Sequence, residues 1–151
     1  MGAKFGSDIS FFFSTGTAYC TGRGEKVLSL DPVAKISGWI AKPSFGLSTP
    51  AVYKNIRLDS LSLRDPVRSL ASHRSDSPLF FNDLEVSSFE MEPRLIKIKE
   101  ELLRSFTTVL MTGSGTAFFC LEGTPKPIDG ISFFPFSSLQ RPPTRWYCTQ
   151  P

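Results

Sequence analysis

The sequence predicts an α+β fold in which an antiparallel sheet carries helices on one face. Short apolar strands alternate with helical patterns, and neighbouring strands are joined by hairpin-like turns, an order that suits two packed layers. Leu95, Ile96, Ile98, Leu102 and Leu103 recur at helical spacing behind Pro93, with Lys97, Lys99, Glu100 and Glu101 on the polar face. Two strand-like runs, 107–111 and 117–121, stand on either side of the tight segment Thr112-Gly113-Ser114-Gly115-Thr116.

Taken in order, Phe11-Phe12-Phe13 reads as a buried strand or strand edge that expects an earlier element to pack against. Ala18, Tyr19, Val27 and Leu28 flank a Gly22-Arg23-Gly24 turn, a hairpin pattern. Gly38-Trp39-Ile40-Ala41 is a short apolar strand stopped by Lys42-Pro43. Ser48 or Thr49 caps a helix with Pro50 at its first position, running through Ala51, Val52, Tyr53 and Ile56. Residues 58–77, rich in Ser, Arg and Asp, read as loop with one helical turn near 67–71. Asn82-Asp83 opens a segment with Leu84, Val86 and Phe89, and Pro93 restarts the clearer helix. Ile131, Phe133, Phe134 and Phe136 form a last strand before the irregular tail that starts at Arg141-Pro142-Pro143.

Composition narrows the function. At 151 residues the chain is long enough for one ordinary domain and too short for two. Its formal charge of +3, from 17 Lys+Arg against 14 Asp+Glu, is scattered rather than gathered into the stripe a nucleic-acid footprint needs. Cys20, Cys120 and Cys148 are odd in number and lack the close pairing of a disulfide framework or a zinc site. A reducing compartment and no structural metal are expected. His73 is the single histidine, in the polar run Ser72 to Ser77, so it reads as a loop residue and a Ser-His-Asp triad is disfavoured. No apolar stretch approaches the roughly 20 residues needed to span a bilayer. Residues 1–6 have neither a signal-peptide core nor transit-peptide character.

Four segments carry chemistry. In Gly6-Ser7-Asp8-Ile9-Ser10-Phe11-Phe12 a lone carboxylate precedes an apolar block, where partial desolvation suits a proton acceptor. Residue types alone make the same triplet a turn or cap. Thr49 and Tyr53 stand one helical turn apart, fitting either a ligand contact with ring stacking, or helix capping with core packing. Asn82 and Asp83 are natural caps. Gly113-Ser114-Gly115 offers successive backbone N–H groups to an anion, although most such triplets are flexible turns.

In this order the four segments resemble the GHMP-superfamily kinases, and within them those acting on 4-diphosphocytidyl-2-C-methyl-D-erythritol. The run GSDISFFFSTGTAYCTGRGE resembles their catalytic-aspartate block with its Gly-x-Gly-Glu hairpin, with Ser10 standing where the family usually has proline. KPSFGLSTPAVYKNI, FNDLE and MTGSGTAFF resemble the later blocks, the last being similar to Met-Ser-Gly-Ser-Gly-Ser. The resemblance runs from about Phe5 to Gly123 and loosely into the tail, where Arg141 and Trp146-Tyr147 look plant-like. It implies that Asp8 is the catalytic base, that Thr49 and Tyr53 contact the cytidine, and that Gly113, Ser114 and Gly115 line the substrate's phosphate end. It implies residues 1–37 as the end of a catalytic N-terminal domain and 38–151 as the C-terminal domain. ATP with Mg2+ is the implied co-substrate and the cytidine diphosphate-linked methylerythritol the implied substrate. No nucleic acid or membrane partner is implied, and the location is a plastid stroma.

Complete members also carry a lysine near the N-terminus and a Pro-x-x-x-Gly-Leu-Gly-Gly-Gly-Ser-Ser loop around the ATP phosphates, and neither stands in these 151 residues. The chain is therefore expected not to phosphorylate anything by itself, since phosphoryl transfer rests on positioning and charge stabilisation. Two other readings stay open on the sequence: a non-enzymatic binding module that keeps only this part of the fold, and a GHMP kinase for another small alcohol.

Overall fold

The structure, a computed structural model, describes residues 6–61, 63–73 and 78–140. The tail residues Arg141, Trp146, Tyr147 and Cys148 lie outside the described residues. The chain divides into two compact units: Ser37–Phe136, and a second that joins the segment up to Ile36 with the segment from Ser137 onward.

In the second unit, strands β1 (Ala18–Thr21) and β2 (Lys26–Ser29) form an antiparallel hairpin with Tyr19 opposite Leu28. Gly22 and Gly24 turn it at φ of 71° and 99°. The Glu25 carboxylate accepts the Arg23 N–H at 2.6 Å. Bonds from the backbone of Glu25 and Arg23 hold that carboxyl below its usual range. Ahead of the hairpin, Ser7–Phe13 is a 3-10 helix, which corrects the expected strand at Phe11-Phe12-Phe13. The physical reason is pairing. Among the described residues the adjoining sheet has two strands, and the run closes its backbone locally, Ser14 N–H donating to the Phe11 carbonyl at 2.9 Å. The three rings are exposed rather than buried.

Ser37–Phe136 holds a four-stranded sheet in the order β4-β5-β3-β6, with β3 Ser37–Pro43, β4 Phe106–Met111, β5 Phe118–Gly123 and β6 Ile131–Ser137. Strand β5 is antiparallel to both β3 and β4, with Ala41, Phe118 and Met111 aligned across the three. Gly38 is required where β3 approaches β5, because a Cβ there would sit 2.4 Å from the Cys120 carbonyl oxygen. Pro135 is tolerated because β6 is an edge strand.

Helices α1 (Thr49–Lys54), α2 (Pro66–His73), α3 (Leu84–Met91) and α4 (Arg94–Leu102) complete this unit. Pro93 separates α3 from α4: the residue before it, Glu92, leaves the helical region (φ −140°, ψ 82°), and Pro93 stands at the cap of the next helix. Leu95 and Leu102 of α4 enter one core with Ala41, Phe106, Val109, Met111, Phe118 and Cys120 of the sheet. Ile40, Phe119 and Leu110, also aligned across the strands, fall on the alternate face. The α+β layout of antiparallel sheet and helices is as the sequence predicts.

Helix α2 contains the helical turn expected near 67–71 and extends it at both ends, to Pro66–His73. Asp65 caps it, accepting the Val67 N–H at 2.8 Å, and Pro66 occupies the first helical position. His73 is therefore the last residue of a helix rather than part of a loop, and residues 74–77 lie outside the described residues. Among the described residues no helix is long and apolar enough to cross a membrane.

Leu102 has no exposed surface and bridges α4 to the sheet, so Leu102→Ala is expected to cost about 3 kcal/mol or more in chemical denaturation. A loss under about 1 kcal/mol would mean that the core does not depend on α4 as described.

Candidate functional site

The sequence-selected residues fall into two places. Asp8 is exposed in the 3-10 helix of the hairpin unit. Thr49, Tyr53, Gly113, Ser114 and Gly115 all belong to Ser37–Phe136.

Within that unit, α1 and the loop after β4 are joined directly. The Thr49 and Ser114 hydroxyls share a hydrogen bond of 2.8 Å across 65 residues of sequence. Ser48, not Thr49, stands at the cap of α1 and makes no side-chain capping bond, so the Thr49 hydroxyl is directed to the loop instead. Tyr53 is 58% exposed and does not fill the core; Val52 is the buried residue of α1. Its ring is open to a planar ligand.

The loop has a defined backbone. Thr112 N–H donates to the Ala117 carbonyl at 2.8 Å, and Gly115 N–H donates to the Thr112 carbonyl at 2.9 Å. Gly113 and Gly115 have φ of 51° and 92°, which only glycine adopts at little cost. The expectation of three successive anion-binding amides is narrowed accordingly. Gly115 N–H closes the turn, while among the described residues those of Gly113 and Ser114 have no protein partner. Two neighbouring N–H groups and one hydroxyl are the groups this loop can offer to a phosphate.

Helix α3 grips the loop from behind. The Asn82 amide nitrogen donates to the carbonyls of Met111 at 2.8 Å and Gly113 at 2.7 Å, and its oxygen accepts the Leu84 N–H at 3.0 Å. Glu85 accepts the Met111 N–H at 2.8 Å through one oxygen and Lys99 of α4 at 2.6 Å through the other. The Ser88 hydroxyl donates to the Ser114 carbonyl at 3.0 Å. On the far side, Lys42 donates to the Thr116 hydroxyl at 3.1 Å, and Thr116 donates to the Phe45 carbonyl at 2.7 Å. Sequence reasoning assigned Asn82 and Asp83 as caps and missed the loop contacts of Glu85 and Ser88; Asp83 stands at the N-cap of α3 without a side-chain capping bond, and Asn82, one residue earlier, accepts the Leu84 N–H. The available sign was polar residues spaced by three along a helix that is otherwise partly apolar.

A cavity of about 290 Å³ lies elsewhere, lined by Arg64, Phe81, Asn82, Asp83, Glu85 and Lys99 among others, and Thr49, Tyr53 and the Gly113-Ser114-Gly115 loop are outside its lining. Arg64 stacks on Phe81 at 4.0 Å and pairs with Asp83. No group of three or more His, Cys, Asp or Glu residues that could hold a metal ion occurs among the described residues.

No family model matches the chain. A solved structure, a crystal structure of 4-(cytidine 5'-diphospho)-2C-methyl-D-erythritol kinase, matches with a TM-score of 0.64 and 29% identity over 79% of this chain and 45% of its own. The fold is that of a GHMP-superfamily kinase. The 4-diphosphocytidyl-2-C-methyl-D-erythritol kinase of Protochlamydia amoebophila is 48% identical over 99% of this chain and 51% of its own length. The chloroplastic enzyme of that name from Arabidopsis thaliana is 37% identical over 83% of the chain and 35% of its own. The chain is thus a homologue of the 4-diphosphocytidyl-2-C-methyl-D-erythritol kinases and spans about half the length, or less, of these relatives.

Cys120 has no exposed surface, and burial pushes its thiol up from 9.0 to about 11, whereas Cys20 is exposed. An alkylating reagent at pH 8 is expected to label Cys20 in the folded chain and to spare Cys120 until denaturation, read by peptide mass mapping. The stability that comes from keeping the Cys120 thiol protonated is fully present below pH 9.0 and lost as pH rises through about 11. Equal labelling of both cysteines in the native chain contradicts this burial.

Proposed function

We propose that the chain is part of an ATP-dependent kinase that phosphorylates 4-diphosphocytidyl-2-C-methyl-D-erythritol at its 2-hydroxyl, in the non-mevalonate route to isoprenoids. In this reading residues 1–37 end the catalytic N-terminal domain and 38–151 are the C-terminal domain. The observation that carries the reading is the 2.8 Å bond between Thr49 and Ser114. It ties together the two segments that the resemblance assigns separately to the cytidine and to the substrate phosphates.

The roles follow from the groups present. Tyr53 stacks on the cytosine, and Thr49 hydrogen-bonds beside it. The Gly113 and Ser114 amides receive phosphate oxygens of the substrate. Asp8, assigned by resemblance alone, takes the proton of the 2-hydroxyl as its oxygen bonds to the γ-phosphorus of ATP and the bond from that phosphorus to the ADP oxygen breaks. ATP is the co-substrate. The described residues do not themselves form a Mg2+ cage. A plastid location is supported by the chloroplastic plant relatives, while the Protochlamydia amoebophila enzyme is more similar than that of Arabidopsis thaliana, 48% against 37%.

Calorimetry of the 151-residue chain with cytidine 5'-diphosphate tests the reading. The chain is expected to bind this ligand and to turn over no ATP above buffer background. Tyr53→Ala is expected to weaken binding about tenfold, the loss of a stacking partner with its buried area. Unchanged affinity in that variant removes Tyr53 from the site, and steady ATP turnover contradicts the need for a separate ATP-binding part.

A further inference from the structure

Asn82, just ahead of α3, and Glu85 and Ser88 on it stand at intervals of three, and each grips part of the loop: Met111 and Gly113, Met111, and Ser114. The turn into α3 uses one polar atom of Asn82, the oxygen that accepts the Leu84 N–H. Both remaining contacts of Asn82 go from its NH2 group to loop carbonyls.

Peptide geometry gives those contacts a consequence. The C=O and N–H of one trans peptide unit point in opposite directions. The Gly113 carbonyl turned onto Asn82 therefore turns the Ser114 N–H away from α3. The Ser114 carbonyl held by Ser88 likewise sends the Gly115 N–H to the other side, where it meets the Thr112 carbonyl. The glycines allow this backbone path, but their freedom allows many others as well. A loop with glycine at positions 113 and 115 needs an outside template if one conformation is to dominate.

We propose that Asn82, Glu85 and Ser88 are positioning residues that preset the Gly113-Ser114-Gly115 loop, so that the Ser114 amide is aimed outward before any ligand arrives. Lys99 acts one step further out by holding the Glu85 carboxylate. That the aimed amide receives a substrate phosphate rests on the function proposed above. That the loop is preset by α3 does not.

Asn82→Asp separates positioning from the turn into α3. It keeps an oxygen for the Leu84 N–H and replaces the NH2 donors with an acceptor facing two carbonyls. Amide hydrogen exchange by nuclear magnetic resonance on the ligand-free chain is the first readout. In N82D the Thr112 and Gly115 amides are expected to exchange about tenfold faster or more, while amides of α4 and β5 keep wild-type rates. Ser88→Ala, which keeps a good helix former, is expected to speed Gly115 without unfolding the unit and serves if N82D does not fold. The second readout is the response to cytidine 5'-diphosphate: wild-type Gly113 and Ser114 resonances shift, and N82D lowers the affinity about tenfold. A wild-type chain that shows no response overturns the substrate reading and leaves the exchange data to decide the positioning. Wild-type exchange rates at Thr112 and Gly115 in folded N82D, or in S88A if N82D is unfolded, overturn the positioning itself.

Discussion

A backbone that leaves a sheet beside a packed core takes its polar groups with it, and each must find a partner or lose the bond it had with water. The end of β4 meets that constraint in acute form. Met111 and Thr116 are almost wholly buried, so the loop between them is pinned at both ends. The helix packed behind it cannot help with its own backbone, whose bonds are used internally. Side chains must do it: Asn82 just ahead of α3, then Glu85 and Ser88 on it, supply them while other residues of the helix pack. This explains why Ser87 and Ser88 are buried inside a helix: Ser87 donates to the Val52 carbonyl of α1 at 2.7 Å and Ser88 to the loop. Among the described residues no buried side-chain nitrogen or oxygen lacks a partner.

The ion pairs sort by the same reasoning. Arg57 with Glu90 and Arg104 with Glu101 lie on the surface, where screening and side-chain entropy leave little net stabilisation. Glu85 with Lys99 is different: the two side chains are 16% and 24% exposed, and the carboxylate also accepts a backbone N–H. A pair so placed is costly to break from one side, because the remaining charge keeps its desolvation without its partner. Its value is geometric. It locks the carboxylate that locks the end of β4, and it links α3 to α4 through the same residue.

The sheet and the principal helix were legible because their signals are local and strong. The spacing behind Pro93, the hairpin at Gly22-Arg23-Gly24 and the strand-loop-strand around Gly113-Ser114-Gly115 each specify an element without help from elsewhere. Phe11-Phe12-Phe13 misled because apolar content alone does not tell a strand from a helical turn, and only a pairing partner decides. Only one turn of α2 was legible because of its polar composition, although Asp65-Pro66 is the same kind of start signal as Ser48-Thr49-Pro50. At the candidate site, residue types picked out the loop but not its support. Asn82, Glu85 and Ser88 are 26 to 31 positions away from the groups they hold. Such contacts leave no trace in local propensity.

The charges around the loop suggest how labour is divided in the proposed reaction. Stabilising a transferring phosphoryl group calls for free cations aimed at its oxygens. Lys42, whose ammonium lies against Thr116, already donates to the Pro43 carbonyl at 3.0 Å, the Phe45 carbonyl at 3.2 Å and the Thr116 hydroxyl at 3.1 Å. Lys99 is held by Glu85. What the loop presents is two amide dipoles and a hydroxyl, groups suited to fixing where an anionic substrate sits rather than to neutralising charge as it moves. On this account the Ser37–Phe136 unit orients the acceptor in the proposed reaction, and the stabilisation of the transferred phosphoryl group falls to groups outside that unit. That division fits a loop whose shape is set in advance by a helix, since orientation is lost with any freedom the loop retains.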